Sequence, residues 1–328
     1  LGDLTARQLQ MRMIPMMIWG KPLAVLAAAG LLSLSACSAY SDAPAASASG
    51  STDATKLQVA VAFYPFEFVV DRVGGDQVDV ENLTAPGAEP HDLELTPQQV
   101  ASLSTVDLVV FQSGFQPAVD TAVEQARPKR TIDTASFLTM MKASTDGADT
   151  GNSTSAEDPH TWLDPTNMVA IAEHVRDALT QARPADARTF ADNTTRLVAD
   201  LNGLDAALKS DLTHCAITPF ITSHAAFGYL AKRYGLTQVG INGVEPDVEP
   251  SAARIAEVQK IAEANHVTTI FFETLVSPVV SESIANDLGL KTDVLDPLEG
   301  ITADSRGTNY LEVMASNGTA LQKANQCS

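Results

Sequence analysis

Hydrophobic and polar residues along the first half of the chain alternate between two patterns. Short segments rich in apolar and β-branched residues predict strands at 57–63 (LQVAVAF), 78–84 (VDVENLT) and 108–112 (LVVFQ). Helix-like segments lie between them, and Thr96 is placed to cap one of these helices. Apolar strands that alternate with helices indicate a parallel sheet covered on both faces.

The same alternation returns in the second half, after a long helical segment. Apolar residues follow a three-four spacing from Pro184 to about residue 212, which predicts one amphipathic helix about 43 Å long. We therefore expect an α/β fold of two lobes, each with a mostly parallel sheet flanked by helices, joined by one long rigid linker helix. Four further strands are predicted, at 216–224, 236–241, 267–273 and 292–298. The predicted ranges are 57–165 for the N-terminal lobe, 166–212 for the helical segment and 213–328 for the C-terminal lobe.

The segment that precedes residue 57 follows neither pattern. Lys21 is followed by the apolar run PLAVLAAAGLL, which is too short to span a bilayer, and then by LSAC, which ends at Cys37. This layout predicts a signal peptide over residues 1–37. The LSAC ending resembles a bacterial lipobox, with Cys37 as the lipidated first residue of the mature protein; an ordinary signal peptide with an incidental cysteine is the alternative. Residues 38–56 predict a flexible tether, so we expect an extracytoplasmic protein anchored to the cell membrane.

The composition is that of a globular protein, since 45% of the 328 residues are hydrophobic and 19% are charged. The formal net charge of −19 argues against binding nucleic acid or an anionic membrane surface, because both require a basic surface. Beyond Cys37 the chain has two cysteines, Cys215 and Cys327. In an oxidising compartment this pair predicts a disulfide; a thiolate metal site that includes the adjacent His214 is the alternative.

Four potential metal ligands lie where predicted strands end or where proline stiffens a turn. They are His91 in EPHD, His160 in DPHTWLDP, His224 in TSHAAFGY and Asp296 in VLDPLEG. Ligands of open parallel sheets bind beyond the carboxyl ends of the strands. Three imidazoles and one carboxylate form a tetrahedral set that suits Zn²⁺. The remaining histidines, His174, His214 and His266, are interpreted as structural or solvent-facing.

These segments resemble the metal-specific solute-binding lipoproteins of bacterial ABC importers, the zinc and manganese group. GAEPHDLELTP, DPHTWLDP, SHAAFGYLAKRYGL and FFETLVSP followed by VLDPLEG occur in the family's order, and the resemblance extends over about residues 57–327. It implies two sheet lobes bridged by a helix, with metal ligands at His91, His160, His224 and Asp296. It also implies a non-enzymatic monomer, held at the membrane by its lipid anchor only, that delivers Zn²⁺ to an ABC importer permease driven by a separate ATPase.

The third ligand position bears on the choice of metal. Family members that handle manganese tend to carry a carboxylate there, whereas this chain has His224, so the resemblance favours zinc. A manganese-binding member of the group is the alternative. Many zinc members carry a histidine-rich acidic loop before the second ligand. Here residues 141–158 predict a loop without any histidine, so no metal-scavenging role is expected for it.

Two further carboxylates are candidates near the site. Glu273 is expected to accept the proton of the second ring nitrogen of a ligating histidine, with helix capping as the alternative. Glu89 is an alternative ligand that could replace Asp296. A zinc hydrolase is disfavoured because neither HExxH nor GxSxG occurs in the chain. A surface adhesin with a structural metal remains an open alternative.

Overall fold

The computed structural model describes residues 56–143 and 157–328. The predicted signal peptide with Cys37, and the predicted tether up to residue 55, lie outside the described residues. Among the helices of the described part, none is both long and apolar enough to cross a bilayer.

The first lobe contains a four-stranded parallel sheet in the order β2-β1-β3-β4. The predicted strands are confirmed, but β4 was not predicted because three residues are too few to form a recognisable pattern. Thr96 caps α2 as expected, since its side chain accepts a hydrogen bond from the Gln99 N–H. The elements are β1 (Leu57–Val61), α1 (Tyr64–Gly74), β2 (Val78–Asn82), α2 (Pro97–Ser102), β3 (Leu108–Phe111), α3 (Pro117–Ala126) and β4 (Thr131–Asp133).

Two short strands and two long helices follow the first sheet. Most of the predicted loop 141–158 lies outside the described residues; its ends form β5 (Met141–Lys142) and β6 (Glu157–Asp158), which pair antiparallel. The helices are α4 (Pro165–Ala182) and α5 (Ala187–Asp211). Helix α5 confirms the predicted long amphipathic helix, because its three-four stripe is buried against α1, α4 and α9 (Tyr310–Ala324).

The second lobe repeats the topology of the first. Its parallel sheet has the order β10-β9-β7-β8, so both sheets have the order second-first-third-fourth when their strands are counted along the chain. The predicted fold class is therefore confirmed. The remaining elements are β7 (Pro219–Thr222), α6 (Gly228–Tyr234), β8 (Thr237–Gly240), α7 (Ala252–Ala264), β9 (Thr269–Phe272), α8 (Val279–Leu288) and β10 (Lys291–Val294).

Covalent and polar contacts hold the end of the chain and the two lobes in place. Cys215 and Cys327 form the predicted disulfide, across 112 residues of sequence. In the chain-entropy account, a loop of this size stabilises the fold by about 4–5 kcal/mol. Between the lobes, Trp162 Nε1 donates to the carbonyl of Pro297 at 2.7 Å, and Tyr310 Oη donates to the carbonyl of Trp162 at 2.7 Å. Trp162 also lies next to His160, with a distance of 5.2 Å between the ring centroids.

Candidate metal centre

Four buried side chains from both lobes converge in the cleft. One potential ligand atom from each of His91, His160, His224 and Glu299 lies within 4.8 Å of the others. The Nε2 atoms of the three histidines lie 3.3, 3.4 and 3.6 Å, respectively, from a single oxygen, Oε1 of Glu299. Three ring nitrogens and one carboxylate therefore surround a volume large enough for one ion.

His160 is held by its own tripeptide. The Asp158 carboxylate reaches over Pro159, so that Oδ1 accepts the His160 backbone N–H at 3.0 Å and lies 2.7 Å from Nδ1 of the ring. Because proline fixes the backbone between them, the acid and the ring are held together locally. Gln112, at the end of β3, donates to the carbonyl of Pro159 and anchors this turn to the first sheet.

His224 is oriented by the strand arrangement of the second lobe. It follows β7 by two residues, and Glu273 directly follows the adjacent strand β9. The carboxyl ends of neighbouring parallel strands meet at one sheet edge, which brings His224 Nδ1 within 2.6 Å of Glu273 Oε1. Ser223 also hydrogen-bonds to this carboxylate. The sequence analysis expected Glu273 to hold a histidine in this way, and the structure identifies that histidine as His224.

His91 lies in the loop between β2 and α2, against the ring of Phe115 at a centroid distance of 4.8 Å. Its Nδ1 lies 3.3 Å from Oε2 of Glu245, a residue of the second lobe. Glu89, the alternative ligand, accepts the His91 backbone N–H through Oε1 at 3.2 Å. Glu89 therefore supports the loop beside the cluster and is not one of its four members.

The carboxylate in the cluster differs from the sequence-based choice. Both oxygens of Asp296 are occupied elsewhere, because Oδ1 accepts the Leu298 N–H at 2.8 Å and Oδ2 accepts the Ser305 hydroxyl at 2.7 Å. The turn continues through Leu298, which is buried and has a φ of 60°, and this left-handed residue directs Glu299 into the cleft. Asp296 thus shapes the turn, and Glu299, three residues later, reaches the histidines.

The remaining histidines lie outside the cluster, as expected. His174 is on α4, where its ring stacks on Phe137 at a centroid distance of 3.7 Å. His214 and His266 occupy left-handed backbone positions, with φ of 51° and 56°.

The cluster is electrostatically coupled. Burial on its own would lower the pKa of His91, but hydrogen bonds with Glu245 and Glu299 outweigh it and raise that pKa to about 9. Burial lowers the pKa of His224, but Glu273 and Glu299 raise it more strongly, so that pKa lies well above the usual value. Burial opposes ionisation of Glu299, yet the three histidines hold its pKa well below the usual range. Burial and the nearby Glu299 raise the pKa of Glu89 to about 7.

The donor set fits a divalent cation that prefers nitrogen. Each imidazole has a carboxylate at Nδ1, which fixes the tautomer that leaves the Nε2 lone pair directed at the shared centre. Glu299 Oε2 is buried and has no hydrogen-bond partner among the described residues, so the carboxylate has capacity for a further contact. A cation that displaces the protons from these rings would be surrounded by several carboxylates, whose negative charge a dication would offset.

Sequence comparison decides the family. The family model described as zinc-uptake complex component A, periplasmic (ZnuA), matches residues 59–324. The chain belongs to this family. The zinc-binding lipoprotein AdcA of Streptococcus pneumoniae serotype 4 is 34% identical over 278 residues, covering 82% of this chain and 56% of AdcA. The high-affinity zinc uptake system protein ZnuA of Bacillus subtilis is 32% identical over 289 residues, covering 84% of this chain and 90% of that protein.

Solved structures agree with this membership. The Zn(II)-bound ZnuA-like domain of S. pneumoniae AdcA superposes with a TM-score of 0.69 and 35% identity, covering 82% of this chain and 99% of that domain. The laminin-binding protein Lmb of Streptococcus agalactiae, described as bifunctional with adhesin and metal-transporting activity, gives a TM-score of 0.74 and 27% identity, covering 82% of this chain and 99% of that one. This chain thus spans little more than half the length of AdcA, and nearly all of the AdcA domain and of Lmb.

Proposed function

We propose that this protein captures Zn²⁺ outside the cytoplasm and delivers it to an ABC importer. The main support for this proposal is that three Nε2 atoms converge on Glu299 Oε1. In addition, a carboxylate lies at Nδ1 of each ring. In the proposed complex His91, His160, His224 and Glu299 are the ligands, and the cation takes the central position that their contacts now share. Zinc is the cargo, and no chemical step acts on it.

The donor set supports zinc over manganese. Three nitrogens and one carboxylate suit a borderline-soft, four-coordinate ion, whereas manganese favours sites richer in oxygen. The proposed carboxylate ligand is Glu299 and not Asp296, but the set still contains three nitrogens and one carboxylate. The zinc-binding relatives AdcA and ZnuA support the same choice.

The proposal includes the location and partners expected from the sequence. Cys37 is the proposed lipidation site, residues 38–56 are the proposed tether, and the loaded protein docks as a monomer on a permease served by a separate ATPase. The relative AdcA, named a zinc-binding lipoprotein, supports the anchor, and the ZnuA relative, named a component of an uptake system, supports the partners.

The ligand set is tested by two matched acid-to-amide variants. Glu299→Gln should weaken zinc binding by more than the 10- to 100-fold typical of an outer carboxylate, because it replaces a charged ligand. Asp296→Asn should have a smaller effect, since it alters only the turn that carries Glu299. Competition titrations against a zinc chelator measure both, followed by competition between Zn²⁺ and Mn²⁺. A larger loss in Asp296→Asn than in Glu299→Gln would contradict the proposed ligands.

The adhesin alternative predicts a different response to metal removal. A transport protein must survive in the metal-free state, so the chain should keep its cooperative fold after chelation and change only locally. Circular dichroism and hydrogen exchange with and without Zn²⁺ check this. Wholesale unfolding on chelation would favour a structural metal instead.

A further inference from the structure

The three outer carboxylates of the site differ in where they come from. Asp158 and Glu273 lie in the same lobe as the histidine that each contacts, and their side chains are only 5% and 2% exposed. Glu245 is 63% exposed and crosses the cleft from the second lobe to reach His91 of the first. Among the three histidines, His91 is thus the one whose Nδ1 partner comes from the opposite lobe.

The loop that carries Glu245 is hydrogen-bonded to the residues on both sides of His224. It follows β8, and its base is fixed by two backbone hydrogen bonds, from Ala225 N to the Gly243 carbonyl at 2.7 Å and from Asn242 N to the Ser223 carbonyl at 2.8 Å. Asn242 also donates to the carbonyl of Pro246 at 2.8 Å, which closes the loop around Glu245. The position of the Glu245 carboxylate is therefore set by the backbone on both sides of His224.

We propose that Glu245 is the positioning residue for His91 and that it determines how long a bound Zn²⁺ is retained. This inference rests on the proposed function. With Glu245 in contact, the first-lobe ring is held in register with the second-lobe ring, and both Nε2 atoms face the same ion. Without that contact, His91 Nδ1 has no carboxylate behind it, and the ring is held in register only by its own loop, by Phe115 and by the shared centre at Nε2. Because Glu245 is exposed, its contact with His91 can be broken from outside without unfolding the site.

Zinc release provides the direct test. Dissociation of Zn²⁺ from loaded protein into excess chelator should be about 10- to 100-fold faster in Glu245→Ala, the range expected for loss of an outer-shell partner. Glu249→Ala removes an equal charge from the same exposed loop and should release zinc at close to the wild-type rate. Glu245→Gln retains a neutral acceptor for Nδ1–H and should fall between wild type and Glu245→Ala. The dissociation rate is used because it starts from the loaded state, in which no ligand is protonated.

A second measurement separates positioning from a general loosening of the fold. In ¹⁵N spectra of zinc-loaded protein, the Nδ1–H of His91 should exchange faster in Glu245→Ala, whereas those of His160 and His224 should not change. Equal acceleration of release in Glu245→Ala and Glu249→Ala, or no acceleration in either, would overturn the inference while leaving the proposed function intact. A wild-type chain that retains no Zn²⁺ would instead overturn the proposed function, and this inference with it.

Discussion

The two lobes share one strand order but use their sheet edges differently. Strand pairing matches Val61 with Val110 in the first sheet and Thr222 with Phe271 in the second, so the two pairs occupy equivalent positions. Counting forward from these pairs, His224 and Glu273 of the second lobe correspond to Phe63 and Gln112 of the first. The second lobe thus places a histidine of the cluster and its carboxylate partner just beyond neighbouring strand ends. The first lobe fills the same positions with a buried aromatic ring and an amide.

The first lobe supplies its histidines of the cluster from loops instead. His91 comes from the β2–α2 loop and His160 from the turn after β6, and each needs a separate device to hold it: Glu245 from the opposite lobe and Asp158 across a proline. In the second lobe the sheet fixes the backbone of both partners, so the carboxylate that holds His224 comes from the end of the neighbouring strand. The comparison teaches that topology alone does not assign ligands. The topology brings the strand ends to one sheet edge, and the side chains at that edge determine whether it contributes to the cluster or to the core.

The largest expected effect contrasts the two equivalent positions. His224→Ala should weaken zinc binding by well over the 10- to 100-fold typical of an outer-shell change, because it removes a ligand. Phe63→Leu at the corresponding position should lower the free energy of unfolding by about 1 kcal/mol and leave zinc affinity almost unchanged. Chelator competition and denaturant unfolding measure the two quantities. Comparable losses of affinity in both variants would remove the distinction between the lobes.

The next effect concerns the carboxylate on the neighbouring strand. Glu273→Gln should weaken zinc binding about 10- to 100-fold, since His224 loses its charged Nδ1 partner. Glu282→Gln removes the same charge from an exposed position on α8 and serves as the control. If both changes weaken binding equally, the loss of one negative charge from the lobe, and not the loss of the contact with His224, would be responsible.

Raising the pH should lower the stability of the metal-free protein more than that of the zinc-loaded protein. In the metal-free state the pKa of His91 is about 9, against about 6.5 for an unfolded histidine. The extra stability is fully present below about pH 6.5 and is lost as the pH rises through 9, which amounts to at most about 3 kcal/mol. His224 is shifted in the same direction. Zinc affinity should instead increase over this range, because fewer protons compete for the rings.

Thermal unfolding between pH 6 and pH 9, with and without excess Zn²⁺, measures this divergence. The melting temperature of the metal-free protein should fall with rising pH, and the gap between the two forms should widen. Parallel pH profiles for the two forms would show that these histidines do not exchange protons for metal.

The smallest expected effect tests how closely the second lobe approaches the DPH turn. A methyl group on Gly228, at the start of α6, would lie 2.6 Å from Oδ2 of Asp158. Gly228→Ala should therefore displace the carboxylate behind His160 and weaken zinc binding up to about tenfold, with a cost in stability of about 1–3 kcal/mol. Gly203→Ala on α5, where nothing lies within 4 Å of the added atom, is the matched control. Unchanged zinc affinity in Gly228→Ala would show that Asp158 does not need this close fit.

The sequence singled out those members of the cluster whose position follows from strand ends or from local stiffness. His224 and Glu273 both follow buried strands, and parallel topology brings such residues to one edge. His160 lies between two prolines, and its partner Asp158, only two residues away, could have been identified from the same motif. These cases require no knowledge of how the lobes pack.

The residues chosen from the sequence differ from those of the cluster where a position depends on the conformation of a turn or on a contact between the lobes. Asp296 was chosen because it follows the last strand, yet the left-handed residue Leu298 directs the chain so that Glu299 enters the cleft. Nothing in the sequence marks a leucine for that conformation, which is uncommon for a bulky residue. Glu245 left no signal either, because its role depends on a contact across the cleft.

By itself, the sequence determined the two-sheet architecture, the long helix, the disulfide and the three histidines of the cluster, because periodicity and strand ends are local properties of the chain. Only the tertiary structure decided the fourth member of the cluster, Glu299, and the carboxylate that contacts His91, Glu245. Those assignments depend on where a single turn points and on which loop faces another across the cleft. Such distances arise when separate segments pack together, so no local pattern encodes them.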